Sequence, residues 1–175
     1  MSPHKSRLLL LDTVVIIEAF RIGIWKHLVQ SYNVLVTNTV VSETLYYFDN
    51  KNIKVQIDLE PFISRGTISC INITSSETEI FIRKMGPDYA ERIHAGELEL
   101  LTYLDKTEDT HLMICSADKI IFMTIGKLLK SSQGLSLSEV LTKVGIKRKL
   151  EDHFCKGFRD HYTNLGFKDS LDNSN

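Results

Sequence analysis

The chain has 175 residues, 43% of them hydrophobic and 25% charged, with a formal net charge of −1. That composition excludes a disordered or collagen-like chain and fits one domain whose core needs no disulfide or zinc staple. The three cysteines, Cys70, Cys115 and Cys155, form no CxxC pair, the usage of a reducing compartment. No apolar run approaches the roughly 18 residues that span a bilayer. The opening leucine run meets Asp12 after four residues, too early for a signal peptide. A cytoplasmic protein with no membrane segment is expected. The charge is unevenly placed. Residues 1–118 carry 11 basic against 16 acidic side chains, and residues 119–159 carry nine against three. A basic C-terminal flank suits nucleic-acid contact, and equally a solvated helix surface.

In chain order, Arg7–Leu11 is a short apolar run ending at Asp12, which predicts a strand buried on both faces. Val14–Leu28 has helical spacing, Asn33–Thr37 reads as a second strand, and Thr39–Phe48 as a helix carrying Glu43 on its packed face. A polar stretch, 49–54, leads through a loop or short helix to Pro61. Thr67–Ile73 alternates like a third strand, and Ser76 with Glu79 has capping-box spacing for the next helix, which Gly86-Pro87-Asp88 ends. A helix over Glu97–Asp105 follows. His111–Cys115 is the fourth strand, ending at Ser116-Ala117-Asp118, and Lys119–Lys130 is a helix. Ser136 and Glu139 form a second capping box, 149–165 reads as a C-terminal helix, and 168–175 as a polar, frayed tail. The repeated strand–helix alternation predicts a three-layer α/β/α fold with a mainly parallel central sheet. The core is expected over 1–130, with 131–175 a helical extension packed on the same domain.

Ligands of an open parallel sheet bind beyond the carboxyl ends of its strands. Asp12 and Asp118 fall there. Helix geometry turns Glu97 toward the apolar side formed by Leu100, Leu101 and Leu104, while Glu99 points the other way, to solvent, and Glu18 reads as a surface residue. Asp12, Glu43, Glu97 and Asp118 would then share one sheet edge. Grouped carboxylates are costly without a positive partner, and no lysine or arginine lies within the strand-end motifs. One or two hard divalent cations, Mg²⁺ or Mn²⁺, are the expected counter-charge, an arrangement suited to phosphodiester cleavage.

Four segments carry a resemblance: Leu8-Leu-Leu-Leu-Asp12-Thr13, Val34 through Ser42-Glu43, His94-Ala-Gly96-Glu97-Leu-Glu99, and Leu112-Met-Ile-Cys-Ser116-Ala-Asp118-Lys119. In order and spacing they resemble the PIN-domain family, the nuclease fold of toxin ribonucleases in bacterial toxin–antitoxin pairs and of related processing enzymes. The resemblance spans residues 7–130. It implies a metal-dependent endoribonuclease acting on single-stranded RNA, with Asp12, Glu43, Glu97 and Asp118 as metal ligands. Glu99 is a lesser candidate, because related flap-nuclease sites use both glutamates of such a pair. Thr13 and Ser116 would hold the carboxylates by hydrogen bonds. An antitoxin protein partner and a homodimer are further implications. The chain departs from the family pattern at Ala117, where additional acidic or polar residues are common, and residues 131–175 match no family motif. The rival readings are a DNA nuclease of the same fold and a catalytically silent module that binds RNA or protein.

Lys119 and the run Lys147-Arg148-Lys149 are candidate phosphate contacts, with Lys143, Lys156 and Arg159 nearby. Phe154, Phe158 and Tyr162 repeat every fourth residue, as a packing stripe does. His153, Cys155 and His161 match no common zinc spacing. His94 reads as a loop residue.

Overall fold

The computed structural model describes residues 7–172. Strand β1 (Leu8–Leu11) leads into helix α1 (Thr13–Arg21), α2 (Trp25–Ser31) and β2 (Asn33–Thr37). Then come α3 (Asn38–Glu43), a hairpin of β3 (Tyr46–Phe48) and β4 (Lys54–Gln56), α4 (Glu60–Ser64) and β5 (Ile68–Ile71). Helices α5 (Ser75–Met85), α6 (Pro87–Ala90) and α7 (Ala95–Lys106) precede β6 (Met113–Cys115), α8 (Lys119–Lys127), β7 (Gly134–Leu135), α9 (Leu137–Lys143) and α10 (Lys156–Asp172). The main sheet has the order β5-β2-β1-β6-β7, and every pairing in it is parallel. Helices flank it, giving the expected three-layer α/β/α fold.

β1 is the central strand, bonded to β2 on one side and β6 on the other. Leu9, Leu10 and Leu11 are accordingly fully buried. Burial of each such side chain contributes roughly 1.5–3 kcal/mol. The chain leaves β1 toward β2 and β5, then returns across the sheet to β6 and β7. Right-handed crossovers place the helices of those two journeys on opposite faces. A crevice therefore opens between β1 and β6, where the strand order reverses.

Several boundaries differ from the sequence expectations, each for a local reason. The single helix expected over Val14–Leu28 is two, broken at Ile22-Gly23-Ile24, where Gly23 takes a positive φ of 74°. The helix expected over Thr39–Phe48 stops at Glu43, and Tyr46–Phe48 is a strand. Adjacent aromatics favour extended backbone, and the next residues make a turn. Asp49 accepts from the Lys51 and Ile53 backbone N–H groups, and Asn52 adopts a left-handed φ of 59°. The first capping box lies two residues earlier than expected. Thr74 caps α5 and Glu77 returns the bond, in place of Ser76 and Glu79. The second forms as expected between Ser136 and Glu139.

Residues beyond 130 supply a fifth strand, β7, as well as helices. The C-terminal helix spans Lys156–Asp172, later than the expected 149–165, so residues 168–172 are helical and 173–175 lie outside the described residues. α10 packs closely on α8 through two glycines. A Cβ on Gly126 would collide with the Thr163 backbone carbonyl, and one on Gly166 with that of Met123. Phe158 meets Phe122 edge-on and stacks at a tilt on Tyr162, and Phe154 is buried in a preceding 3₁₀ turn. These rings pack, although Phe154 is off the helix that carries the other two. Among the described residues, no helix is long and apolar enough to cross a membrane.

Candidate active site

The β1/β6 crevice holds a cavity of about 340 Å³ lined by Asp12, Thr13, Glu43, His94, Gly96, Glu97, Ala117 and Asp118, with Val14 and Ile17 at its wall. Asp12 follows the last residue of β1 and precedes α1, and its backbone N–H donates to the Cys115 carbonyl at 3.2 Å. It occupies the N-cap position, yet its carboxylate makes no capping hydrogen bond. The side chain is buried and accepts from the Ser116 hydroxyl at 2.7 Å. Burial pushes the Asp12 carboxyl up to about 7, and Asp118 and Glu97 add to the rise against the Ser116 hydrogen bond.

Asp118 reaches the same place from β6. It caps α8, with its Oδ1 accepting from the Ile120 backbone N–H at 2.6 Å. Ser116 is fully buried between the two acids, donating its hydroxyl to Asp12 and accepting the Asp118 backbone N–H at 2.9 Å. Two helix N-termini thus face the crevice, and their partial positive charge offsets part of the cost of placing acids there.

Glu43 and Glu97 come from the helices above the strand ends. Glu43 is the last residue of α3 and is exposed, unlike the packed position expected for it. Its Oε2 accepts from the Thr13 hydroxyl at 2.9 Å. The carboxylate lies against Gly96, whose absent side chain makes the room: a Cβ there would stand 2.7 Å from Oε2. Glu97 is half-buried, and its carboxylate accepts from the His94 backbone N–H at 2.8 Å, closing the first turn of α7. Burial raises its pKa, with Asp118 and Glu43 contributing in the same direction.

Glu99 is elsewhere. It accepts from the Thr39 hydroxyl at 2.8 Å and the Thr39 backbone N–H at 3.2 Å, tying α7 to the first turn of α3. It is half-buried, partly open to solvent as its helical position predicts, and does not line the cavity. Glu18 is likewise not on the surface. It is buried, and both its oxygens bind Arg21 at 2.6 Å, a pairing that makes a buried carboxylate tolerable. His94 is more than the loop residue expected: it precedes α7 and lines the cavity.

The basic candidates divide. Lys119 is exposed at the start of α8, beside Asp118. Lys149 lines a second cavity with Arg21 at the other end of α1, roughly 12 Å along the helix from Thr13. Lys147 and Arg148 are exposed in the same loop. Arg159 is engaged by Glu139 and Asp160, and Lys156 by Asp160.

Four carboxylates thus line a cavity with no lysine or arginine among its described lining residues. Among the described residues, no three His, Cys, Asp or Glu side chains stand in an arrangement that could hold a metal ion. The four carboxylates are oxygen donors that suit a hard cation, and Mg²⁺ commonly keeps several waters while binding one or two carboxylates. The residues present fit a hydrated ion of that kind, rather than a closed chelate of three or four side chains. Comparison of the chain with protein-family models, with curated proteins and with solved structures finds no match.

Proposed function

We propose that this protein is a divalent-metal-dependent endonuclease of the PIN-like kind, hydrolysing phosphodiester bonds in single-stranded RNA. The observation that carries the reading is Asp12, a buried carboxylate with its pKa near 7, set among three more acids with no lysine or arginine among the described lining residues. Such a group is costly to keep as an anion and supplies nothing to the fold that a neutral residue would not. A function that brings a cation explains it.

One or two of Asp12, Asp118, Glu43 and Glu97 would bind Mg²⁺ or Mn²⁺ directly and the others through its waters; the ion's chemistry there would be to neutralise phosphate charge and acidify a water. Ser116 fixes Asp12 and Thr13 fixes Glu43, so the carboxylates are oriented before substrate arrives. Lys119, exposed and next to Asp118 in sequence, would meet a phosphate. Lys147, Arg148 and Lys149 are remote from the cavity, and would contact a longer polymer by charge alone. RNA in preference to DNA, an antitoxin partner and a homodimer rest on the motif resemblance.

Labelled single-stranded RNA and DNA incubated with the protein in Mn²⁺, Mg²⁺ or EDTA, beside Asp12→Asn, test the reading. Metal-dependent cutting that is lost in the variant is expected, and cutting by Asp12→Asn equal to wild type would refute it. A second reading is favoured by the absence of a three-ligand group among the described residues. A catalytically silent module would bind RNA or protein equally in EDTA and cleave nothing.

A further inference from the structure

The hairpin that follows Glu43 carries an outward face that the acidic cavity does not account for. In its antiparallel register Tyr46 pairs with Gln56 and Phe48 with Lys54, while Tyr47 pairs with Val55. Successive side chains alternate between faces. Tyr47 therefore turns inward against the core, and Tyr46, Phe48, Lys54 and Gln56 share the other face. Tyr46 and Phe48 are 37% and 48% exposed, and their rings meet edge-to-face with centroids 5.6 Å apart. The Lys54 ammonium lies 3.9 Å from the Tyr46 ring centroid.

We propose that this face is a stacking platform for the bases of single-stranded nucleic acid entering the cavity, an inference that rests on the nuclease reading. Two exposed rings, a lysine and an amide on one face are the chemistry that binds a single strand: bases stack on rings while the cation meets phosphate. None of the four strand residues on that face is acidic. Asp49, the acid of the turn, is occupied in accepting backbone N–H groups. The segment 45–56 holds Lys51 and Lys54 against Asp49, a positive balance within the acidic stretch 1–118. Tyr46 follows Glu43 by three residues, at most about 10 Å of extended chain, so the platform adjoins the cavity. Lys54 covers the Tyr46 ring. A stacked base would take that position and Lys54 would pass to a phosphate.

The test is binding of a fluorescent twelve-nucleotide single-stranded RNA, and its DNA counterpart, to the full chain in EDTA at low salt. Tyr46→Ala and Phe48→Ala should each weaken binding about tenfold, whereas Tyr46→Phe and Phe48→Tyr should restore it. Tyr46→Leu with Phe48→Leu keeps apolar bulk without rings; it should fold where the alanine variants do not, and should bind at least tenfold more weakly than wild type. Inorganic polyphosphate, which has no bases, should displace RNA more readily from the alanine variants, where only charge-driven binding remains, than from wild type. Wild-type affinity in the ring-less variants would overturn the platform, as would failure of the wild type to bind either strand. A change of oligomeric state in those variants, with RNA binding intact, would overturn it too and mark the face as a contact between protein copies. Ring-dependent binding without metal-dependent cleavage would retain the platform and refute the nuclease. Metal-dependent cleavage with ring-independent binding would do the reverse.

Discussion

Asp12 is the residue on which the proposed chemistry and the stability of this protein meet. Folded, it keeps its proton up to about pH 7, against an ordinary carboxyl value of 3.8. The folded state therefore binds more protons than the unfolded one across that interval. Stability linked to this group is complete below pH 3.8 and is lost as pH rises toward 7. Asp12→Asn cannot ionise, so in EDTA at pH 8 its Tm should exceed that of wild type by roughly 5 °C, the gap closing toward pH 4. A Tm gap independent of pH would refute the assignment. A second residue-scale prediction concerns Gly96. A Cβ there displaces the Glu43 carboxylate, the end of an exposed side chain, rather than backbone. Gly96→Ala should thus fold with Tm within about 2 °C of wild type while losing at least tenfold in metal-dependent cleavage. Equal losses in stability and activity would show a packing role instead.

At the scale of elements, the close α8–α10 packing is the most exacting contact beyond the sheet. Alanine improves helix propensity over glycine by about 1 kcal/mol, yet the Cβ of Gly166→Ala would overlap the Met123 backbone carbonyl. Backbone cannot yield as a side-chain tip can, so the collision outweighs the propensity. A net loss on the order of 2 kcal/mol is expected, about 5–8 °C in Tm by thermal unfolding. A rise in Tm would mean that the helices separate freely. Element reading from sequence succeeded where one force dominated. The leucine run of β1 and the capping box at Ser136 have a single reading each. It failed at Thr39–Phe48, where the apolar spacing suits a helix as well as a strand. The Asp49 turn and the cross-strand partners of Tyr46 and Phe48 decide that contest, and those partners are remote in helical periodicity.

At the scale of the whole molecule, the strand order brings Asp12 and Asp118, 106 positions apart in sequence, to neighbouring strand ends, and α3 and α7 cover them with Glu43 and Glu97. An assembly of four acids should respond to the cation it is proposed to hold. Saturating Mn²⁺ should raise Tm by roughly 5–10 °C at pH 8. It should raise Tm less at pH 6, where the proton on Asp12 competes with the metal. No shift at either pH would favour the silent module.

The sequence by itself determined the fold class and the positions of the two strand-end acids. Both depend on local patterns, a buried apolar run and the polar residue that ends it. Tertiary structure decided which of the remaining acids belong with them. Glu97 and Glu99 sit two residues apart on one helix. One lines the cavity and the other ties α7 to Thr39, because α3 lies on that side of α7. Glu18, with the pattern of a surface residue, is buried because Arg21 folds back over it. Glu43, with the pattern of a packed one, is exposed and held by Thr13, 30 positions away. The placement of a charged side chain depends on the partner that balances it, and that partner is set by the packing of distant segments.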